Sequence, residues 1–228
     1  AVDAAVCAAL ALGVCEPMES GLGGQTMLVL YSASEGRVLA LDGSSRAPQR
    51  AGAQLGLDQR RHGCRATTVP TTPAVLEYAR RRWGTLPLSR LIQPAIDLAA
   101  GGFPITSLYH KLASRERPHL LEGSAAPFFL ASGGHPPAIG KLWRQPVLAG
   151  TLSRLSQHGV EDFYQGWIAE RIHQDMIRCG GWLRDEDLHN IPWPMERDVV
   201  RCRFGQSEVC TMPPPGAGHV LAQLLTAW

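Results

Sequence analysis

The chain lacks the long hydrophobic runs and the charge excess that identify membrane and nucleic-acid-binding proteins. No apolar run approaches the ~20 residues that a membrane-spanning helix needs. The net charge is only +2, and the short arginine runs at 60–61 and 80–82 predict neither a nucleic-acid nor a membrane partner. Hydrophobic residues make up 45% of the 228 residues and charged residues 18%, which is typical of a folded globular protein. We therefore expect a single domain over residues 1–228.

The sequence also lacks the local motifs of most catalytic and cofactor sites. Its eight histidines form neither an H-x-x-x-H nor an H-E-x-x-H pattern, and its six cysteines form no C-x-x-C pair. A G-x-S-x-G nucleophile motif is absent. The glycines at 21–24 precede a predicted strand, whereas a phosphate-binding loop follows one. These absences predict no metal site, no cofactor and no complete catalytic constellation within the chain.

The cysteines are dispersed along the chain. Cys7 and Cys15 are flanked by alanine and valine, which predicts small buried hydrophobic side chains. Cys202 and Cys210 flank a predicted hairpin turn and could face one another, although the sequence cannot establish a disulfide there. This cysteine usage favours a reducing compartment such as the cytoplasm, while a periplasmic or secreted location stays open.

Hydrophobic periodicity and turn residues predict an α+β fold. The alanine-rich segment 1–14 predicts a buried helix, and the apolar run 26–31 predicts a strand covered on both faces, with a second strand over 37–41. We expect the helix to cover this hairpin. Further predictions are helices over 72–83, 88–100, 147–158, 161–179 and 220–228, a short helical turn over 185–188, a second hairpin over 199–212, and loops over 47–68 and 123–137.

Both ends of the chain predict an incomplete fold. A helix begins at the first residues, and the apolar helical run 220–228 closes the chain without a C-cap glycine or a basic last turn. A natural surface terminus rarely leaves such an apolar face bare. We interpret the chain as a truncated piece of a larger fold.

Several short motifs occur in an order that is typical of one protein family. They are the glycine-rich turn at 21–24, Leu41-Asp42-Gly43-Ser44-Ser45-Arg46-Ala47-Pro48, Trp83-Gly84-Thr85-Leu86-Pro87, Gln93-Pro94-Ala95-Ile96-Asp97, Gly102-Phe103-Pro104 and Met212-Pro213-Pro214-Pro215. In this order they resemble the large subunit of the γ-glutamyltranspeptidase family, nearly from end to end. The resemblance implies the large-subunit part of the four-layer αββα sandwich of N-terminal-nucleophile hydrolases.

The resemblance also implies a mechanism that lies mostly outside this chain. In this family a precursor cleaves itself, and the new N-terminal threonine of the small subunit is the nucleophile, with its own α-amine as base. The donors that stabilise the oxyanion belong to the small subunit as well. The implied partners are therefore that small subunit, from the same precursor, and a γ-glutamyl or related acyl substrate such as glutathione. The chain alone is expected to be inactive.

Ser44 and Arg46 are the residues to which the resemblance assigns substrate binding. Family members usually place an arginine after the second strand, where it forms a bidentate pair with the α-carboxylate of the substrate. Counted back from Ala47-Pro48, that position holds Ser44, and an arginine follows two residues later as Arg46. Arg46 either reaches into the substrate pocket or pairs locally and supports the loop, and we favour local pairing.

Ser44 in place of the usual arginine keeps two other functions open. One is a cephalosporin-acylase-like or small-amide hydrolase, since such enzymes do not need a carboxylate-binding arginine. The other is a catalytically silent scaffold. A threonine-led small subunit encoded downstream in the same reading frame would distinguish an enzyme from a scaffold.

Overall fold

The computed structural model describes residues 1–52 and 56–228, and its element content confirms the α+β class. The helices are α1 (Val2–Cys15), α2 (Pro17–Ser20), α3 (Thr72–Trp83), α4 (Leu88–Gly101), α5 (Ser107–Glu122), α6 (Ala126–Phe129), α7 (Pro146–His158), α8 (Glu161–Gln165), α9 (Trp167–Arg178), α10 (Asp185–His189) and α11 (Gly218–Ala227), with a 3₁₀ turn at Cys64–Ala66. The strands are β1 (Thr26–Ser32), β2 (Arg37–Gly43), β3 (Phe103–Pro104), β4 (Leu142–Trp143), β5 (Met195–Arg197), β6 (Val200–Phe204) and β7 (Ser207–Thr211).

Most of the core lies in a helical body formed by α1, α4, α7, α8 and α9. Leu91, Ile92 and Ala95 form the buried face of α4, at the spacing that a helix of 3.6 residues per turn brings to one side. They belong to one hydrophobic cluster with Val6 of α1 and Leu152 of α7. The predicted helices 1–14, 88–100 and 147–158 are therefore confirmed, because each has an apolar face to bury against the others.

A three-stranded antiparallel sheet lies beside this body, in the order β1-β2-β5. The hairpin pairs Thr26 with Gly43 and Ser32 with Arg37. β2 is the central strand and is buried from Leu39 to Gly43. Leu39 and Leu41 form a small second hydrophobic cluster with Val75 and Ala79 of α3. The sheet therefore has its own, much smaller core.

Two expectations for the first hairpin need correction. The helix whose buried side chains pack on the hairpin is α3, and α1 contributes only the partly buried Val2 to that cluster. β1 is not covered on both faces, because Val29 is 38% exposed and Tyr31 is 65% exposed. A continuous apolar run thus does not by itself show which faces of a strand other elements cover.

The predicted helix over 161–179 is two helices, α8 and α9, with Gly166 between them. Asp162 explains the break, since its carboxylate accepts a hydrogen bond from the backbone N–H of Trp167 at 3.2 Å. A Cβ atom at Gly166 would lie 2.3 Å from Oδ1 of Asp162, so only glycine fits there. The side chain of Asp162 therefore caps a new helix start in place of the continuing helical bonds.

The remaining predictions agree with the structure in outline. The helix over 72–83, the short turn over 185–188, the second hairpin and the last helix correspond to α3, α10, β6–β7 and α11. The predicted loop 123–137 contains the short helix α6. Within the predicted loop 47–68, residues 53–55 lie outside the described residues, and the 3₁₀ turn begins at Cys64. In the part of the chain that is described, no helix is long and apolar enough to cross a membrane.

The cysteines pair in a way that their local spacing does not indicate. Cys64 and Cys179, separated by 115 residues, form a disulfide. Cys202 and Cys210 are free, and the register pairs Cys202 with Val209 and Arg201 with Cys210. The two sulfurs therefore belong to neighbouring register positions, whose side chains point to opposite faces of the hairpin. The disulfide weighs against the reducing compartment that the dispersed cysteines favoured.

Candidate functional site

The strand β2 ends at Gly43, the point from which the predicted substrate-binding residues extend. A Cβ atom at Gly43 would lie 2.2 Å from a methyl group of Val75 and 2.3 Å from the backbone oxygen of Thr26. Real Cβ contacts are essentially never closer than 3.0 Å. Glycine at this position therefore allows β1, β2 and α3 to approach one another closely.

The start of α3 holds this strand end in place. The hydroxyl of Thr71 donates a hydrogen bond to the backbone oxygen of Gly43. The backbone N–H of Thr71 donates one to the backbone oxygen of Gly24 at 2.9 Å. The hydroxyls of Thr72 and Thr26 lie 2.9 Å apart within hydrogen-bonding distance. The segment 70–72 thus connects the glycine-rich turn, β1 and the end of β2.

Tyr164 of α8 connects that segment to the helical body. Its hydroxyl donates to the backbone oxygen of Pro70 at 2.9 Å and accepts from the backbone N–H of Ala74 at 3.3 Å. The side chain is fully buried, and burial raises the pKa of the Tyr164 hydroxyl well above its usual value, so it stays protonated. A buried tyrosine with both hydrogen bonds satisfied gives the strand end a fixed position relative to the body.

Asp42, Ser44 and Arg197 form a hydrogen-bonded group at this strand end, which we call the Asp42 cluster. Asp42 is 5% exposed. Its Oδ1 accepts from the backbone N–H of Ser44 at 3.1 Å and from the hydroxyl of Ser44 at 2.5 Å. Its Oδ2 accepts from the guanidinium of Arg197 on β5 at 3.1 Å. The carboxylate thereby fixes the backbone of Ser44 and also pairs with an arginine from a distant part of the chain.

Ser44 and Arg46 occupy different environments. Ser44 is half-buried, and the following backbone N–H of Ser45 donates to Oε1 of Gln25 at 2.9 Å. Arg46 is exposed, and its backbone pairs with Val69 in an isolated bridge. Among the described residues, the guanidinium of Arg46 has no hydrogen bond or ion pair, and the local contact of this residue is the backbone bridge; its role in substrate binding stays a prediction.

A large cleft lies beside the glycine-rich turn. It has a volume of about 1070 Å³, and its lining includes Gln25, Thr26, Thr72 and the start of α7. Its lining includes neither Ser44 nor Arg46 among the described residues. Gln25 connects the two regions, because it lines the cleft and also binds the backbone of Ser45. The predicted residues are therefore next to the cleft and not in it.

The Asp42 cluster is suited to holding the backbone after β2 in position. Its serine hydroxyl donates to a carboxylate, and neither histidine nor lysine takes part in the cluster. The guanidinium of Arg197 is already paired with Asp42, whereas that of Arg46 has no ion pair among the described residues. The reasoning from sequence missed Asp42 and Arg197. No local signal could have found Arg197, because 155 residues separate it from its partner.

Comparison with solved structures defines the class of protein. The chain resembles γ-glutamyltranspeptidase from Helicobacter pylori with a TM-score of 0.90 and 33% identity, over 96% of this chain and 64% of that one. It resembles cephalosporin acylase from Bacillus halodurans with a TM-score of 0.85 and 29% identity, over 96% of this chain and 43% of that one. The fold is therefore the large-subunit part of the αββα sandwich of N-terminal-nucleophile hydrolases, as predicted.

The family follows from the sequence comparisons. The family model "Gamma-glutamyltranspeptidase" matches residues 1–228. The glutathione hydrolase proenzyme of Bacillus subtilis (strain 168) is 32% identical over 235 residues, which cover 99% of this chain and 40% of that protein. The chain belongs to the γ-glutamyltranspeptidase family, and it spans about 40% of the length of the curated relatives that it matches.

Proposed function

We propose that this chain is the large-subunit part of an N-terminal-nucleophile amidohydrolase or acyltransferase that acts on γ-glutamyl or related amides such as glutathione. One observation carries the proposal: the chain matches glutathione hydrolase proenzymes over 99% of its own length but over only 40% of theirs. Those relatives are named as proenzymes, which agrees with a precursor that yields two subunits.

In this proposal the chain supplies structure, and a small subunit from the same precursor supplies the nucleophilic threonine and the oxyanion donors. In this proposal Thr71 and Thr72 do not replace that nucleophile. The hydroxyl of Thr71 is committed to the backbone of Gly43, and that of Thr72 lies against Thr26. A hydroxyl held in such contacts, without a base beside it, is not activated for attack on an amide.

The activity test compares the chain with its full-length precursor. We expect the purified chain to hydrolyse γ-glutamyl-p-nitroanilide no faster than a heat-treated control. The precursor should divide into two chains and turn the substrate over, and Edman sequencing should find threonine at the new N-terminus. Turnover by the chain alone, lost on mutation of a residue within 1–228, would contradict the proposal.

Ser44→Arg in the full-length precursor tests the substrate. An arginine at the usual clamp position should raise kcat/KM for glutathione about tenfold or more, since a hydrogen bond to a charged group typically contributes about 1.5–3 kcal/mol. In this variant Asp42 can still accept the hydrogen bonds from Arg197 and from the backbone N–H at position 44. Ser45→Arg is the matched control, because it adds the same charge one residue further along and should leave kcat/KM unchanged.

Arg46→Ala decides between the two interpretations of Arg46. If Arg46 binds the substrate carboxylate, its removal should abolish glutathione turnover while Ser44→Arg has no effect. If Arg46 does not bind substrate, the Arg46→Ala enzyme should keep its kcat/KM. The first result would show that Arg46 has taken over the clamp and that Ser44 is not the specificity-determining position.

A cephalosporin-acylase-like or small-amide hydrolase is the second candidate. Ser44 favours it, because it offers a hydroxyl already bound to Asp42 where γ-glutamyl enzymes offer a guanidinium. The similarity to the Bacillus halodurans acylase agrees with this alternative. Assays of the precursor with matched acyl amides, with and without the α-amino acid group, distinguish the two. A preference for the acyl amides would select the acylase.

A catalytically silent scaffold is the third candidate. It predicts that the full-length precursor neither cleaves itself nor turns over any amide of the panel. Self-cleavage at a threonine would exclude it, and so would turnover that is lost when that threonine is changed to alanine.

A further inference from the structure

Three side chains with metal-binding atoms lie close together at α5 and the loop before the 3₁₀ turn, although no local spacing predicts a metal site. Glu116 and His119 lie one turn apart on α5, and His62 comes from the loop before the 3₁₀ turn. One ligand atom from each lies within 4.8 Å of the others. All three residues are partly buried. We call these residues the His62 cluster.

The side chains of the His62 cluster contact one another directly. Nε2 of His62 lies 3.7 Å from Oε2 of Glu116. The rings of His62 and His119 stack with centroids 3.6 Å apart and planes inclined by 7°. Among the described residues, no hydrogen bond involves a ring nitrogen of His119. The two imidazoles and the carboxylate therefore lie close together and keep lone pairs that no hydrogen bond between them occupies.

In His62 and Glu116, the second polar atom of the side chain contacts a neighbouring residue. Nδ1 of His62 lies 3.2 Å from Oδ1 of Asp58, and Oε1 of Glu116 accepts from Nε of Arg115 at 2.6 Å. Metal-bound histidines usually have their second ring nitrogen on a carboxylate, which fixes the tautomer and the ring orientation. Asp58 and Arg115 thus leave Nε2 of His62 and Oε2 of Glu116 available for an ion.

A disulfide and a cleft lie next to the His62 cluster. The disulfide between Cys64 and Cys179 anchors the loop two residues after His62. His62 and Glu116 line a cleft of about 420 Å³, which Tyr109 also lines. The hydroxyl of Tyr109 is buried and has no hydrogen-bond partner among residues 1–52 and 56–228, and burial raises its pKa to about 12. The cleft therefore offers space and a polar group beside the three ligands.

We infer that His62, Glu116 and His119 bind one Zn²⁺ ion, with its fourth coordination position towards this cleft. Two imidazoles and one carboxylate form a donor set that zinc accepts, with the remaining position open to water or a ligand. Zinc bonds of about 2.0–2.2 Å place tetrahedral ligand atoms about 3.4 Å apart, so the ligand atoms approach one another by about 1 Å on binding, and one imidazole turns out of the stack to bring its ring plane onto the ion. The ion connects the loop before Cys64 to α5. This site is independent of the proposed amide chemistry.

The test is a zinc titration of the tag-free chain after removal of metal with a chelator. Competition with a chromophoric zinc indicator should give one Zn²⁺ per chain, and zinc should raise the melting temperature. His62→Gln and His119→Gln should each weaken binding at least about tenfold. His173→Gln is the matched control, since His173 also faces a carboxylate, with Nδ1 3.4 Å from Asp185, but belongs to no cluster of three such ligands in the part of the chain that is described. It should bind zinc as the unchanged chain does.

Two further measurements keep the result interpretable if a ligand variant folds poorly. Asp58→Asn alters a carboxylate whose side chain is 83% exposed, so it should leave the fold intact, and we expect it to weaken zinc about tenfold. Co²⁺ in place of Zn²⁺ should give d–d absorption without a thiolate charge-transfer band. Absence of stoichiometric binding, equal affinity in the His119→Gln chain, or a thiolate band from the free cysteines would each overturn the inference.

Discussion

Asp162 in the helical body and Asp42 at the end of β2 are both buried aspartates that face an arginine. Both oxygens of Asp162 accept from Arg154 at 2.7 Å, and its Oδ1 also accepts from the N–H of Trp167. Asp42 has a single contact with Arg197, and its second oxygen holds Ser44. The pair in the body is eight residues apart in sequence, whereas the pair at the strand end is 155 residues apart.

The difference separates a region that stabilises the fold from one that positions a loop. Asp162 joins α7, α8 and α9, whose side chains belong to the large hydrophobic cluster. Asp42 lies on the sheet, whose own cluster of buried residues is Leu39, Leu41, Val75 and Ala79. We therefore expect side-chain truncation to cost most in the body, while residues beyond the strand end, such as Ser44 and Arg46, tolerate change and set specificity.

Leu152→Ala should have the largest effect and tests this comparison directly. Leu152 is 1% exposed within the large cluster, and its truncation should lower the free energy of unfolding by about 3–4 kcal/mol. Leu39→Ala removes an equally buried leucine from the sheet, where the smaller cluster should relax around the cavity at a cost nearer about 2 kcal/mol. Urea unfolding of both chains gives the two values. Equal losses, or a larger loss for Leu39, would show that the sheet is packed as rigidly as the body.

Gly43→Ala should lower the free energy of unfolding by about 2–3 kcal/mol, because the added methyl group collides with Val75 and the backbone of Thr26. Gly150→Ala is the control within the body. Gly150 lies inside α7 with nothing within 4 Å of an added Cβ, so this change should stabilise the chain by up to about 1 kcal/mol. Thermal unfolding of both variants should give melting temperatures that move in opposite directions. A harmless Gly43→Ala change would mean that the strand end adapts easily.

Asp162→Asn should lower the free energy of unfolding by about 1.5–3 kcal/mol, since it removes the charge-assisted hydrogen bonds with Arg154. Arg154 and the N–H of Trp167 hold the pKa of Asp162 below its usual value. A lowered folded pKa stabilises the chain at pH values above the unfolded pKa of about 3.9, and this stabilisation is lost as pH falls through the folded pKa. The loss between pH 5 and pH 2 should therefore be smaller in Asp162→Asn than in the unchanged chain.

The control for Asp162→Asn is Asp175→Asn. Asp175 pairs with Arg178 in an exposed ion pair, so its replacement should change the free energy of unfolding by less than about 1 kcal/mol. Urea unfolding across this pH range measures both variants. A pH dependence that is identical in the Asp162→Asn and unchanged chains would show that the pair with Arg154 contributes nothing to acid stability.

Tyr164→Phe should have the smallest effect of the four, about 1–2 kcal/mol, and it sharpens the comparison because Tyr164 joins the two regions. The change removes the hydrogen bonds to Pro70 and Ala74 but keeps the buried ring. Amide hydrogen exchange should then become faster at Thr71 and Thr72, whose N–H groups bind Gly24, and stay unchanged in α4. Faster exchange throughout the body would show that Tyr164 stabilises the whole fold and does not act locally.

Much of the fold could be predicted from the sequence because local patterns determine it. The apolar stripe over 88–100 predicts α4, and the turn residues between apolar runs around 26–41 and 199–212 predict two hairpins. These predictions need no information from other parts of the chain. The covering of the hairpin was predicted wrongly. Amphipathic helices compete for the same sheet face, and the sequence does not show that α3, with Val75 and Ala79, packs there in place of α1.

The candidate site was only half predictable. The motif order located Ser44 and Arg46 at the end of β2, and the structure places both there, one bound to Asp42 and the other exposed. Their role in binding substrate stays a prediction. Arg197 and the His62 cluster were not predictable, because their partners lie far away in the chain and no fixed spacing links them. Helix break points such as Gly166 also escaped, since the cap that causes the break comes from the side chain of Asp162.

The sequence by itself determined the family, the α+β class and many of the elements, although not α5 or the short strands β3, β4 and β5, because the predicted elements depend on the order of short motifs and on hydrophobic spacing within single segments. Tertiary structure alone decided which groups meet: Arg197 with Asp42, Cys64 with Cys179, and His62 with Glu116 and His119. The physical reason is that burial and chain packing fix such contacts. A buried carboxylate requires a partner, but any arginine that the fold brings within reach can satisfy it, whatever its distance in sequence.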